Sequence, residues 1–445
     1  MATLASPPAS AGTIPTISPD HYISRDFAMR EKQRLWSNVW QVACREEEIP
    51  LPGNYITYEV ADESIIVART RTGELVAYHN VCPHRGRRLA SGCGKATTFR
   101  CGYHGWTFDL EGKNVLIQDK HDWNGGLDCE QIDLQKVRVD TWGGFVWIDM
   151  REQGESLRDY LETIPENLGP YEYENMRFRW YLTIHLPCNW KVALEAFMEN
   201  YHVATSHPQL LPILGDDYSQ SFAQGKHAHF GFWQSQLPLG VPSPRTNLPW
   251  PDDPRKSVKA FFAEYESTLK AMFSERDYLA TLNLEEVVPE GADPATAFAA
   301  AVELGRKAAE AEGIGYPEGA TFEHMMKAGA DWHIFPNCVT LPWFDGALFY
   351  RSRPDGDDPD KCIFDIWSLV RYAPGTEPPL ERKVYTSMEG NSAGGILDQD
   401  IRNMGEVQKG MKSRAFAKAR PNPLQEVEII NFHKVLDEYL EGVRP

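Results

Sequence analysis

Cysteine is scarce in this chain, with 8 among 445 residues. Cys44, Cys82, Cys93, Cys101, Cys129, Cys188, Cys338 and Cys362 also show no regular spacing, which excludes a disulfide framework and leads us to expect reduced thiols in a cytoplasmic setting. No apolar run approaches the roughly 18 residues that span a bilayer, so no membrane partner is expected. The opening MATLASPPASAGTIPTISP lacks the basic start and apolar core of a secretory signal and reads as a flexible Pro/Ser/Ala arm. Positive charge is also short: 45 Lys and Arg stand against 63 Asp and Glu, a net −18. That balance excludes nucleic-acid binding through the phosphate backbone as the main task. No internal repeat is present.

What remains is a globular composition, 42% apolar and 24% charged, rich enough for a large core divided into two or three domains. Residues 1–35 read as an arm followed by a helix starting near Asp26, with Phe27, Met29, Leu35 and Trp40 toward one side. After Pro50 the texture turns to short β-branched and aromatic runs, from Tyr55–Tyr58 and Ser64–Ala68 to Gly143–Ile148, punctuated by Gly, Asp and Pro. Residues 36–155 are therefore expected to form a small all-β domain. Residues 156–445 mix types. Helices are expected over Ser156–Leu168, Trp190–Thr205, Gln399–Lys418 and a final Glu/Leu-rich segment; strands are expected over Trp180–Leu186 and within 330–375. A helical elaboration occupies about 250–330, where Asp293 as N-cap and Pro294 open a helix running to Gly313.

Two short segments carry chemistry. Cys82-Pro83-His84-Arg85-Gly86 is followed by Cys101-Gly102-Tyr103-His104-Gly105-Trp106. Two loops that each offer one thiolate and one imidazole can hold one zinc or a two-iron cluster. Cys and His alternate on both loops in an all-β context, which suits a [2Fe–2S] cluster with two thiolates on one iron and two imidazoles on the other. Gly86, Gly102 and Gly105 would let backbone N–H groups come close to the sulfides.

The other segment runs from Asn189 to Pro208. On a continuous helix Glu195, Glu199 and His202 would share a face, and Pro208 places His207 just past the helix end. Two such histidines plus a distant carboxylate form a two-His-one-carboxylate iron site with open positions. Taken alone, a His-x4-His pair is more often structural than ligating.

Together these segments resemble the catalytic α subunits of Rieske non-haem iron oxygenases, over about residues 35–415. The resemblance implies an α+β chain: an N-terminal all-β Rieske [2Fe–2S] domain and a C-terminal catalytic domain built on a helix-grip-like antiparallel sheet. It implies cluster ligands Cys82, His84, Cys101 and His104, and mononuclear Fe(II) ligands His202, His207 and Asp400, with O₂ as co-substrate. Asp400 is preferred over Asp398 because that register puts Asn403-Met404 and the Gln408-Lys409-Gly410 pattern in their usual places. Glu199 stands where most ring-hydroxylating members have an Asp that bridges the metal centres of neighbouring subunits; members acting on quaternary ammonium compounds resemble this chain in having Glu there. The implied assembly is a homotrimer, with or without a small β subunit.

Ser91-Gly92-Cys93-Gly94 lies in a cluster loop and is no dinucleotide fingerprint. A separate NAD(P)H-dependent reductase, or a reductase with a ferredoxin, is therefore expected to deliver electrons. Arg85, Arg87, Arg88, Lys95 and Arg100 form a basic segment suited to docking that acidic donor. The leading expectation for the reaction is mono- or cis-dihydroxylation of an aromatic or polycyclic small molecule. Oxidative demethylation or hydroxylation of a quaternary ammonium compound is second, and a non-catalytic electron-transfer or zinc-binding protein is third.

Overall fold

The computed structural model describes residues 14–128, 131–232 and 237–444, with the side chain of Phe232 excepted. The chain divides into two compact units. Among the described residues, no helix is long and apolar enough to cross a membrane.

One unit contains the described residues of Met29–Leu161 with the short segment Asp355–Asp357 and those from Glu438 on. Its strands are β1 (Gln41–Arg45), β2 (Asn54–Val60), β3 (Glu63–Arg69), β4 (Leu75–His79), β5 (Cys93–Lys95), β6 (Phe99–Arg100), β7 (Thr107–Phe108), β8 (Asn114–Leu116), β9 (Lys136–Trp142) and β10 (Phe145–Asp149). Seven of them form one sheet in the order β1-β10-β9-β4-β3-β2-β5, and β6-β7-β8 form a separate three-stranded sheet. Apolar side chains of the two sheets, among them Ile66, Tyr78, Phe99 and Phe108, close with Trp106 into one buried cluster that also contains Cys82 and Cys101. Both expected cluster thiols thus sit in the core while their loops reach the surface.

The other unit contains the described residues up to Ala28, Glu162–Pro354 and Asp358–Asp437. Its sheet comprises β11 (Met176–Leu186), β12 (Ser219–Gln224), β13 (His227–Phe232), β14 (Asp331–Ile334), β15 (Cys338–Pro342), β16 (Gly346–Pro354), β17 (Cys362–Arg371) and β18 (Arg382–Tyr385), in the order β12-β13-β14-β15-β16-β17-β11-β18. All neighbours are antiparallel except β11 with β18. The Pro294–Ala311 helix starts as expected, with Asp293 accepting the Thr296 N–H. It belongs to a helical insertion between β13 and β14 that also holds Pro254–Thr268, Glu275–Thr281 and Phe322–Ala328.

The expected helix Trp190–Thr205 is not continuous. It covers Trp190–Glu195, breaks, and resumes only for Val203–Ser206. Past Glu195 the turns tighten, with Phe197 N–H bonded to Leu194 O and Met198 N–H to Glu195 O, and the His202 N–H donates to the Glu199 side chain (2.9 Å) instead of to a backbone carbonyl one turn back. Glu195, Glu199 and His202 therefore do not share a helical face. The helix expected over Gln399–Lys418 also shifts, to Gly395–Met411.

Candidate metal centres

The two cysteine loops are built alike. In each, a glycine four residues after the cysteine has a left-handed backbone, Gly86 at φ +77° and Gly105 at φ +72°. Each glycine N–H returns to the cysteine carbonyl, Gly86 to Cys82 at 2.9 Å and Gly105 to Cys101 at 3.0 Å. Each cysteine N–H then bonds the carbonyl one residue beyond, Arg87 or Trp106. A Cβ at Gly86 would meet nothing within 4 Å, so the constraint there is the positive φ and not crowding. Buried Asn80 ties the ends of the first loop together: its carbonyl accepts the Leu89 and Ala90 N–H groups, and its amide donates to Ala90 O and Ser64 Oγ. Sequence reading missed Asn80, since a polar residue before a loop carries no motif of its own.

The imidazoles of His84 and His104 lie with ring centroids 4.5 Å apart, and the His84 ring stacks on Trp106. Their Nδ1 atoms are both buried and have no hydrogen-bond partner. Two buried lone pairs without donors are costly in a finished fold and fit atoms meant for a metal. Burial pushes the Cys82 thiol up, opposed by the N–H groups of His84 and Arg85. Cys101 is lowered despite burial, because the N–H groups of Tyr103 and His104, the Cys82 sulfur and the Arg87 guanidinium favour its thiolate. Two facing sulfurs ringed by N–H donors, with two orphaned imidazole nitrogens, fit a [2Fe–2S] cluster.

In the other unit His202, His207 and Asp400 converge, with one potential ligand atom from each lying within 4.8 Å of the others. His207 Nε2 is 2.9 Å and His202 Nε2 3.5 Å from the same Asp400 Oδ1. The opposite ring nitrogens are engaged elsewhere: His202 Nδ1 lies 2.7 Å from Glu199 Oε1, and His207 Nδ1 lies 2.7 Å from Gln399 Oε1. Gln209 donates to that same Gln399 oxygen at 2.9 Å, so His207 Nδ1 must carry the proton. Both Nε2 lone pairs are thus directed toward the carboxylate, the arrangement a divalent iron needs. Although burial opposes it, Glu199 and Asp400 hold the His202 imidazole above its usual value.

The structure separates Asp398 from this cluster. Its carboxylate folds back onto the Ala393 N–H (2.8 Å) and the Ser392 hydroxyl at the start of the helix. Gln408, two turns past Asp400, accepts the Asn189 N–H at 3.0 Å and donates to Tyr22 O and Asp360 Oδ1. It fixes the carboxylate-bearing helix to the segment that begins the histidine loop. Among the basic residues, Arg88 pairs with Glu59 at 3.0 Å, Arg85 lies over the Tyr103 ring, and Arg87 lies beside Gly102. Lys95 and Arg100 are exposed at β5 and β6.

The chain matches the family described as ring hydroxylating alpha subunit (catalytic domain) over residues 173–442, and the Rieske [2Fe-2S] domain over residues 39–130. It is 33% identical to the glycine betaine monooxygenase oxygenase subunit of Pseudomonas aeruginosa (strain UCBPP-PA14) over 214 residues, which is 46% of this chain and 49% of that protein. The match thus spans about half the length of that relative. Among solved structures, a quaternary ammonium Rieske monooxygenase in complex with L-carnitine superposes with TM-score 0.63 at 19% identity, covering 95% of both chains. A naphthalene 1,2-dioxygenase variant bound to phenanthrene superposes with TM-score 0.66 at 18% identity, covering 96% of this chain and 92% of that one. The fold is therefore common to proteins of both substrate classes. The sequence relative carries a quaternary ammonium substrate in its name, which favours the second expectation above over mono- or cis-dihydroxylation of an aromatic or polycyclic substrate.

Proposed function

This chain belongs to the Rieske oxygenase alpha-subunit family, and from that premise we propose that it monooxygenates a quaternary ammonium compound, with Cys82, His84, Cys101 and His104 holding the cluster and His202, His207 and Asp400 the iron. The observation that carries the substrate class is a cavity of about 130 Å³ beside the histidine loop, reached by Asn200 and lined by Tyr218, Phe230, Phe261, Tyr265, Phe273 and Trp343. One acid, Asp216, joins this aromatic lining, and its Oδ2 is buried without a hydrogen-bond partner. Burial raises the Asp216 carboxyl, against the Tyr218 N–H that it accepts. Aromatic faces attract a cation that lacks N–H donors, and an unpaired carboxylate complements its charge. A neutral polycyclic ligand would leave Oδ2 of that carboxylate buried without a partner, at a cost of about 1–3 kcal/mol.

When bound, the cluster supplies single electrons and the iron activates O₂. The chain's own residues position these groups. Glu199 keeps the proton of His202 on Nδ1, Gln399 does the same for His207, and the aromatic cavity, which meets the histidine loop at Asn200, would hold the trimethylammonium group. Hydroxylation of an N-methyl carbon gives a carbinol that loses formaldehyde and leaves a tertiary amine. Hydroxylation on the chain carbon beside nitrogen releases trimethylamine instead. Electrons come from a separate NAD(P)H-dependent reductase, the basic segment from Arg85 to Arg100 receives the donor, and Glu199 links His202 to a cluster histidine of a neighbouring subunit.

The test is O₂ uptake by the reconstituted enzyme with betaine, choline and carnitine, each beside its neutral carbon isostere in which C(CH₃)₃ replaces N(CH₃)₃. Turnover of a charged compound is expected, with its isostere at least tenfold poorer in kcat/KM. Preference for isosteres or for naphthalene would overturn the substrate assignment.

A further inference from the structure

Beside the metal cavity runs a chain of polar side chains, hydrogen-bonded from His21 inward, that the chemistry above does not use. At its outer end the Asp437 carboxylate, 44% exposed, lies 3.6 Å from His21 Nε2. His21 Nδ1 and His433 Nδ1 are 2.8 Å apart, so a single proton is shared between two rings. His433 is buried, and its Nε2 lies 2.7 Å from Glu195 Oε1. The Tyr22 hydroxyl is 2.9 Å from both Glu195 Oε2 and His433 Nε2. Glu195 in turn lines a cavity of about 270 Å³ together with Glu199, His202, Asp400 and Glu426. The chain crosses from an exposed carboxylate to the wall of the metal site without a gap longer than 3.6 Å. Its members come from three separate helices: Asp20–Ile23, Trp190–Glu195 and Val427–Leu440.

We propose that Asp437, His21, His433 and Glu195 form the route by which protons reach the oxygen-reducing site, with Glu195 as the terminal donor. Incorporating one oxygen atom into substrate consumes two electrons and two protons per O₂ and releases water; incorporating both also consumes two electrons and two protons. The inference therefore rests on the metal site proposed above and not on the substrate class.

Each delivery is a series of balanced hops with no change of oxidation state. With Glu195 Oε1 facing the N–H of His433 Nε2, the acid proton sits on Oε2 beside Tyr22. Rotation of that hydroxyl away from Tyr22 turns it toward the cavity, where the O–H bond breaks, and Oε1 of the resulting carboxylate takes the Nε2 proton of His433. His433 Nδ1 takes the shared proton from His21, and His21 regains one at Nε2 from solvent beside Asp437. Rotation of the rings then restores the starting tautomers. Burial, with Lys191 adding to it, pushes His433 well below the usual imidazole range, so it passes protons without storing them. Burial raises Glu195 to about 8 against the opposing pull of Tyr22 and Lys191, so it carries a proton at neutral pH. The groups facing it are Lys191 on its own helix, Tyr22 and His21 from the N-terminal helix, and His433 from the C-terminal helix. Across the cavity stand Glu199, His202, Asp400 and Glu426.

Glu195→Gln keeps the volume and removes the transferable proton. With cluster absorption and mononuclear iron intact, its single-turnover rate should fall at least tenfold and lose the wild-type pH dependence, and Glu195→Asp should recover part of both. Infrared difference spectra of metal-free protein should show a buried carboxylic acid band that titrates near pH 8 and is absent from Glu195→Gln. That readout is independent of turnover, so it separates failure of the relay from failure of the metal site. His21→Ala, at a less buried position, should be slow and rescued by added imidazole in a saturable manner. Wild-type rate and pH profile in either variant, or no such band in the wild-type protein, would overturn the proposal.

Discussion

Glu199 illustrates how one side chain can shape both backbone and chemistry. Its two oxygens engage His202 twice, through the backbone N–H and through Nδ1, at 2.9 and 2.7 Å. Glu199→Gln retains one acceptor and loses the charge, so both metal centres should persist. Re-oxidation of a pre-reduced cluster in single turnover should slow about 10–100-fold, the usual cost of removing a partner that orients a metal-bound histidine. Wild-type coupling in this variant would remove Glu199 from the electron path. Its neighbour Glu195 is placed differently, with its oxygens 2.9 Å from the Tyr22 hydroxyl and 2.7 Å from His433 Nε2.

The two aspartates on the Gly395–Met411 helix make a paired test at the same scale. Asp400→Ala should abolish mononuclear iron, measured by metal analysis, and leave the cluster spectrum unchanged. Asp398→Ala should keep its iron and cost about 1 kcal/mol in urea unfolding, the usual loss when a helix-start side-chain bond is removed. Iron loss from Asp398→Ala and not from Asp400→Ala would shift the ligand register by two residues.

At the scale of elements, the cluster loops were legible because their chemistry lies in adjacent positions: a Cys, a His two or three residues on, and a Gly at +4 whose positive φ closes the turn. The Trp190–Thr205 segment was not legible as it stands. Its apolar spacing suits a helix, and what replaces the helix is tighter turns past Glu195 and a side-chain acceptor three residues from the donor, which periodicity does not register. Asn80 and Gln408 escaped notice for a related reason, since each works through bonds to residues distant in sequence.

Between β16 and β17 the Asp365 carboxylate, wholly buried, binds Arg351 at 2.7 Å and Arg353 at 3.0 Å. Burial alone would raise Asp365, but the two guanidinium groups win and hold it well below the usual carboxylate range. Its folded-state value is depressed, so its stabilisation is present above the unfolded carboxylate value near 4 and is lost as pH falls through the folded value. Asp365→Ala should destabilise the catalytic unit by about 3–5 kcal/mol, because it removes the buried carboxylate that both guanidinium groups bind. A denaturant midpoint unchanged from the wild type would contradict that reading.

For the whole molecule, a net charge of −18 makes the exposed basic residues around the cluster loops a local exception. Reversing charge at Arg87 and Lys95 should slow reduction by the physiological donor and flatten its dependence on ionic strength, while chemically reduced single turnover stays near wild type. Donor kinetics that do not change would assign these residues to packing alone. The class of the molecule could be read from its sequence because the two Cys/His loops and the histidine pair are local motifs. The substrate class entered only as the second expectation, through Glu199, because the acid and the aromatic rings proposed to receive it come from segments as distant as Asp216, Tyr265 and Trp343, and only folding brings them together.

The central claim is that the two metal sites act together on a quaternary ammonium compound. Single turnover of protein with a chemically reduced cluster, without reductase, tests it most directly: O₂ is added with a trimethylammonium compound or with naphthalene, and cluster re-oxidation and product are followed together. The account expects re-oxidation to accelerate with the charged compound and to match formaldehyde or trimethylamine formed. A cluster that re-oxidises with naphthalene to give a diol, and is indifferent to every trimethylammonium compound, would contradict it.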